Sequence, residues 1–482
     1  MKNKGRKSAC LQMVLCGIII CNALFLSGCQ STPDSEIVTN KNESVLVAIE
    51  KEEQTRQEEY EKTNKTYTGI FTNKQGDISF LLDVVIPVVN DQYPLIQVTP
   101  RTISSEQAKN VALALFGETT WYEYSEVMSK EEIEETIISL RKHISDPVGL
   151  KEYYGGDEQL ANQVISWYEA LILEYEEMYN AAPKTVQRTV CEWEFYPTTH
   201  YFDFTSFLGV DDEMSNLDKT EYIVATTEIN KIPYLYNAMN RDANDYRLHT
   251  IIAYMDDEIL PISSTYSNKE PNETDMERVR LKTIEILEKM GFEHWLIDSC
   301  VVTERNFSDE SKGYRLVVEA IPTYEGIQVT KQGQIMNLKS EDSYASNYSY
   351  ENITIEFCGD QIAYFEYTGA LEVLEVIEEN VQLLSFDEVL DRLKSYKETD
   401  DLLGYAMMEE GRIDVNVNNV ELGLARIRIK NNYSDFYLIP AYTFNGTYSY
   451  YEKDGTLIYE EDGQVAVINA VDGSIINTRL GY

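Results

Sequence analysis

The residues best equipped for chemistry in this chain are few and scattered. Its 482 residues hold four histidines, His143, His200, His249 and His294. No two stand four apart and no His-Glu-x-x-His occurs, so a helix-borne zinc site is unsupported. His294 closes a helical stretch before Trp295, where an imidazole serves more often as a cap than as a ligand. Of seven cysteines, only Cys191, Cys300 and Cys358 lie beyond residue 29. None is in a Cys-x-x-Cys pair, and three thiols allow at most one disulfide. Cys300 and Cys358 sit in apolar, strand-like runs and read as small core side chains. Pairing Cys191 with His200 as nucleophile and base would be arbitrary. P-loop, Gly-x-Gly-x-x-Gly and Gly-x-Ser-x-Gly motifs do not occur in the sequence. Asn240-x-Asp242-x-Asn244 opens like a Ca2+ loop. It has Asp245 where the sixth place needs Gly and Ile251 where the twelfth needs Glu, so it reads as a polar turn. The sequence thus predicts no catalytic, metal or cofactor set, and a non-enzymatic protein.

Charge narrows the field further. The chain carries 41 Lys and Arg against 82 Asp and Glu, a formal net charge of −41. Such an excess argues against nucleic acid as a partner, which needs a basic stripe to neutralise phosphates. It also argues against charge docking on anionic lipid. The N-terminus differs from the rest. Lys2, Lys4, Arg6 and Lys7 precede an apolar stretch from Leu11 to Leu26, and no acidic residue occurs before Asp34. The stretch is shorter than the ~20 residues of a membrane-spanning helix and matches the apolar part of a secretory signal. It ends in Leu26-Ser27-Gly28-Cys29, which resembles the lipobox of bacterial lipoproteins. That resemblance implies cleavage after residue 28 and a diacylglycerol on the Cys29 thiol. Two acyl chains anchor a protein stably, at ~0.8 kcal/mol per buried CH2. The expected location is the extracytoplasmic face of a cell membrane.

The remaining chain is read for elements that could carry a binding surface. Residues 29–63 are polar and charged and predict a tether. Residues 64–262 predict an N-terminal α+β domain. It opens with strands at 66–72, 77–89 and 95–99, then a helix over 102–117 with Ser104 as N-cap. Two helices over 129–144 and 157–179 form a hairpin insertion at 129–180. Their apolar rows are Ile133/Ile137/Leu140/Ile144 and Leu160/Val164/Trp167/Leu171, both at helical spacing. Strands are predicted at 191–196, 201–207, 221–227 and 249–255. A third helix over 274–290 takes Thr274 and Glu277 as a capping box. Strands at 295–303, 313–322, 327–330, 353–358 and 361–367 follow it. A last helix over 385–394, capped by Ser385 and Glu388, precedes strands at 412–417, 421–429, 436–444, 465–469 and 474–479. Asn445-Gly446 and Asp472-Gly473 read as hairpin turns.

A capped helix, antiparallel strands and the ending Ile468-Asn469-Ala470-Val471-Asp472-Gly473-Ser474-Ile475-Ile476 resemble PepSY-like domains. The lipobox, the tether, the Val-Thr-Pro-Arg run at 98–101 and the Glu-rich hairpin together resemble an uncharacterised lipoprotein family of Gram-positive bacteria. The resemblance implies PepSY-like units at 274–370 and 385–482, and a binding or inhibitory role. The fold expected is therefore α+β: antiparallel sheets with packed helices in two or three such units. The function expected is a lipid-anchored binding or sensory module of the envelope with a protein or glycan partner. The alternative is a solute- or glycan-binding lipoprotein. It would use some of the 35 tyrosines, with Tyr344/Tyr348/Tyr350 and Tyr448/Tyr450/Tyr451 exposed around a cleft. Open sheet edges would favour the first reading, and an enclosed Tyr-lined cleft the second.

Overall fold

The structure is a computed structural model. It describes residues 65–89, 92–125, 127–145, 147, 150–151, 158–197, 220–243, 246–255, 262–292, 294–307, 311–330, 350–398, 411–429, 432 and 434–478. The lipobox and tether lie outside the described residues. So do the strand expected at 201–207, His200, Tyr344 and Tyr348.

The α+β expectation is overturned: the protein is β-rich, with 47% strand against 26% helix. Two large, mostly antiparallel sheets carry five helices among the described residues. The chain also forms two compact units. One holds the described residues up to Thr99 and from Val373 on; the other holds those from Pro100 to Glu372. Residues 66–99 thus belong with the C-terminal strands, whereas the sequence groups them with 100–262.

In the first unit, β1 (Thr66–Thr72) and β2 (Ile78–Val85) form a hairpin. β2 alternates buried and exposed residues, and it sends Ile78, Phe80, Leu82 and Val84 inward. That is the period-two pattern of a strand with one wet face. β3 (Leu95–Pro100) and β14 (Leu371–Glu378) lie at the other end of the sheet. Between them run the long strands β15 (Gly411–Arg428) and β16 (Phe436–Glu452), with β17 (Leu457–Asn469) paired to β16. The sheet order is β1-β2-β15-β16-β3-β14, and the β2–β15 pair is parallel. Helix α5 (Phe386–Lys397) buries Phe386, Val389, Leu390 and Leu393 against it. Ser385 and Glu388 form its capping box, as the sequence predicts.

Asn445-Gly446 is not a turn. Both residues sit inside β16 and pair with Asn419 and Val417 on one side and with Gln464 and Gly463 on the other. A Cβ on Gly446 would meet the Asn416 carbonyl oxygen at 2.4 Å. Glycine is required there for close backbone approach, the other reason a strand carries one. Asp472-Gly473 does turn the chain: Gly473 has φ +74° and Ile475 bridges back to Ile468. The strand expected at 474–479 reduces to that bridge.

The second unit is built on a sheet ordered β11-β10-β12-β13-β8-β7-β6-β4. Its strands are β4 (Tyr122–Glu123), β6 (Thr220–Ile229), β7 (Ile232–Ala243), β8 (Tyr246–Met255), β10 (Lys312–Tyr324), β11 (Ile327–Gln328), β12 (Asn352–Cys358) and β13 (Gln361–Thr368). β5 (Tyr196–Pro197) pairs with β6, and β9 (Trp295–Asn306) pairs with β10. Helices α1 (Ser105–Phe116) and α4 (Glu273–Lys289) pack on this sheet. Ser104 caps α1 by accepting from Gln107 N, and Gly117 stops it at φ +71°. α4 is capped two residues earlier than the sequence predicts. Asn272 Oδ1 accepts from Thr274 N and Asp275 N, while Asp275 Oδ2 accepts from Asn272 N. Asn outcompetes Thr274 because its side chain reaches both backbone donors. The strand expected at 191–196 is irregular, with Trp193 at φ +59° and only Tyr196 entering β5, and it is tied in where Cys191 N donates to Trp121 O.

The helical hairpin consists of α2 (Lys130–Ile144) and α3 (Glu158–Ala181). It has its own core. Ile133, Ile137, Leu140 and Ile172 are buried together, and Met128, Ile144, Tyr168, Leu171, Tyr175, Tyr179 and Ala182 surround them. Every member of that cluster lies on the two helices or within two residues of their ends.

Candidate protein-binding surfaces

The three cysteines beyond residue 29 and Asn240 are packed into the fold. Cys191 and Cys300 are buried free thiols and Cys358 is half-buried. Burial pushes all three thiols above the ordinary cysteine range, which suppresses thiolate chemistry. Asn240 lies in β7, not in a polar turn, and its buried side chain bonds to the backbone of Ile103.

One buried polar centre was not visible in the sequence. It lies in the second unit, where Glu351 precedes β12. Tyr324 Oη donates to Glu351 Oε2 at 2.9 Å, and Tyr367 Oη donates to Oε1 at 3.1 Å. Arg101 Nη2 donates to Tyr367 Oη at 3.3 Å, and the backbone N–H of Leu371 also donates to the carboxylate. Phe292 and Trp295 pack against the Tyr367 ring, at 5.1 and 5.9 Å between centroids. Burial raises the Glu351 carboxyl to about 7, and its hydrogen bonds and Arg101 only partly oppose this. A carboxyl poised near neutrality can move protons, but structural networks perturb pKa values too. Here its partners are hydroxyls and backbone of three strands, and the group fastens them. Arg101 belongs to the Val-Thr-Pro-Arg run, which the sequence flags only as a strand end.

Among the described residues, the tyrosines expected around a cleft are mostly buried. Tyr350, Tyr448 and Tyr450 are buried, against the exposure expected of them. Tyr450 stacks on Tyr459 at 4.2 Å between centroids and donates from Oη to Glu461 Oε1. Two hollows among the described residues are open troughs on helix surfaces. One lies along Glu158, Gln159, Asn162, Gln163 and Ser166 of α3; the other runs along α4 from Glu273 to Glu285. Neither is enclosed.

Apolar side chains are exposed elsewhere. On the hairpin, α3 buries only part of the predicted row: Leu171 and Tyr175 pack inward, whereas Leu160 and Trp167 do not. Tyr168, Leu171, Ile172 and Tyr175 join the core with α2, while Trp167 is 59% exposed and Leu160 is also exposed. The helix carries two overlapping apolar rows at helical spacing. Ile138 and Leu173 are exposed as well, at 60% and 63%. Glu131, Glu134 and Glu135 of α2 and Glu169, Glu174 and Glu177 of α3 surround them in solvent.

Strand edges form the second group. Val373, Leu374 and Val376 of the outermost strand β14 are exposed. So are Leu457, Ile458 and Tyr459 at the start of β17. No helix of the described residues is long and apolar enough to cross a membrane.

No family model matches the chain, and no curated protein is similar to it at a significant level. Among solved structures, the chain is similar to an uncharacterised protein from Eubacterium rectale ATCC 33656. The likeness has a TM-score of 0.40 at 10% identity and covers 91% of this chain and 99% of the other.

Proposed function

We propose that this protein is a non-enzymatic module held at the extracytoplasmic face of the cell membrane by lipid on Cys29, and that it works by binding an envelope protein. Support for the anchor comes from the sequence Leu26-Ser27-Gly28-Cys29 behind a basic and then apolar N-terminus. Support for binding comes chiefly from the α2–α3 hairpin. A hairpin that satisfies its own core needs no further burial to fold, yet it leaves Ile138, Trp167 and Leu173 in water. Large exposed apolar side chains inside a polar surround are what a docking site offers, Trp above all. The acidic surround selects a basic partner surface. The resemblance of residues 468–476 to PepSY-like domains, regarded as binding or inhibitory modules, points the same way.

The test is deletion of Ser129–Asn180 with a short linker in the full chain, followed by crosslinking in the native envelope. A folded protein that loses its crosslinked partner supports the reading. A protein that keeps the same partner rejects it. Trp167→Ala in the intact chain serves where the deletion perturbs folding, because the side chain is exposed.

A further inference from the structure

Helix α3 has more apolar surface than its partner helix covers. Tyr168, Ile172, Tyr175 and Tyr179 join the core shared with α2. Trp167, Leu171 and Met178 each stand one residue before a member of that row, and so lie about 100° round the helix from it. With Val164 and Glu174 they make a second row, Val164-Trp167-Leu171-Glu174-Met178, at alternating steps of three and four. That spacing is the heptad seam of a helix that meets another helix. Trp167 is 59% exposed and Met178 37%, while Val164 and Leu171 are half-buried.

A helix that packs on one neighbour needs one apolar stripe and carries polar residues elsewhere. The apolar arc of α3, from Trp167 round to Ile172, covers about 140°. α2 takes only its far side, and Leu171 marks the border. Two stripes side by side are the pattern of a helix with neighbours on two sides. The second stripe runs for about 21 Å along α3, from Val164 to Met178.

We infer that this second stripe takes an amphipathic helix of the partner protein, with Lys or Arg flanking its apolar seam, so that the two-helix hairpin becomes a three-helix bundle. Three features specify the occupant. Apolar contacts at steps of three and four match the ridges of another helix. An extended strand repeats every two residues and would meet them out of step. α3 carries Glu158, Glu169, Glu174, Glu176 and Glu177 and no Lys or Arg. A second copy of this chain would set acid against acid there, whereas a basic helix is attracted. Glu174 falls on the stripe itself and calls for a cation at one seam position of the partner. A polar seam residue of this kind fixes the register of two helices at some cost in stability.

A helix in this place presupposes that the hairpin is the docking element, and specifies which face is met and by what. The probe is a synthetic peptide of about three heptads, with Leu at the seam positions, one of them changed to Lys, and Lys at the flanks. Repulsion between its lysines keeps it from pairing with itself. The control carries Glu in place of every Lys. Binding to the full chain is followed by anisotropy, peptide helicity by circular dichroism, and the contact by tryptophan emission. The expected result is that the basic peptide alone binds and becomes helical, with a blue shift as Trp167 leaves water. Trp167→Phe should still bind but lose that shift. Trp167→Lys/Met178→Lys and, separately, Glu174→Lys should each weaken binding by at least about tenfold. Ile138→Lys/Leu173→Lys should leave it within about twofold, because Leu173 lies about 120° round α3 from Trp167 and Ile138 belongs to α2. All these positions are exposed, so the substitutions spare the hairpin core.

Equal binding of both peptides, binding without helix formation, or undiminished binding to the stripe variants would overturn the proposal. So would a crosslinked envelope partner that is released by Ile138→Lys/Leu173→Lys but kept by Trp167→Lys/Met178→Lys, although the hairpin would remain the docking element. A partner kept after deletion of the whole hairpin overturns both readings.

Discussion

Asn240 holds both sides of the Ile103 backbone: its Oδ1 accepts from Ile103 N at 2.8 Å, and its Nδ2 donates to Ile103 O at 2.8 Å. A side-chain amide here acts as the neighbouring strand that Ile103 lacks. It fixes the entry to α1 against the central strand β7. Both residues are buried, so water cannot substitute. Asn240→Ala leaves a donor and an acceptor unsatisfied, at roughly 1–3 kcal/mol each. The variant is expected to lose ~2–5 kcal/mol of stability in urea denaturation. A loss under ~1 kcal/mol would mean that the pair is not sealed from solvent.

Glu351 gives stability a pH dependence of unusual sign. Its carboxyl is raised from 4.5 to about 7 in the folded state, so the native protein binds the proton more tightly than the unfolded chain. The stabilisation is complete below 4.5 and is lost as pH rises through about 7. Its ceiling is on the order of 3 kcal/mol, from ~1.4 kcal/mol per unit. Many other carboxylates also repel one another as pH rises, so the comparison must be with a variant. Glu351→Gln should flatten the fall in melting temperature between pH 5 and 8 relative to the parent protein. Identical pH profiles would show that the carboxyl titrates normally.

Gly446 separates two readings of the same dipeptide. In a hairpin turn, replacing it would disturb only a loop. Inside β16, a methyl group meets the Asn416 carbonyl at 2.4 Å and Val417 Cα at 3.0 Å. These are backbone atoms with nowhere to go, so Gly446→Ala should cost ~1–3 kcal/mol as an overpacked site does. Chemical denaturation measures it, and a neutral outcome would contradict the continuous strand.

Cys29→Ala removes the thiol on which the proposed anchorage depends. The variant should either appear in the soluble fraction or accumulate with its signal uncleaved. Membrane retention with normal processing would remove the basis for a lipid anchor.

What the sequence made legible was local. Capping pairs three residues apart, Ser129 with Glu132 and Ser385 with Glu388, marked two helix starts correctly because both partners belong to one turn. Strand interiors such as Gly313–Pro322 were legible for the same reason. Errors arose where one motif serves two geometries. Asn-Gly suits a tight turn and a crowded strand alike. The apolar rows of α3 overlap, and only the partner helix decides which is buried. The centre at Glu351 could not be read at all, since Arg101, Tyr324 and Tyr367 come from distant parts of the chain and share no spacing.

The parallel pairing of β2 with β15 has a consequence for how the protein is made. Ile78 lies opposite Ile413, with more than three hundred residues between them. A ribosome or a secretion channel delivers β1 and β2 first, but their sheet neighbour emerges much later. Until then Phe80, Leu82 and Val84 have no layer to enter, while the residues from Pro100 to Glu372 can already close their own sheet. Long-range pairings of this kind are slow and leave strands exposed in the meantime. The first unit is thus the late-forming part, and a chaperone at the exit would have most to protect in its opening hairpin.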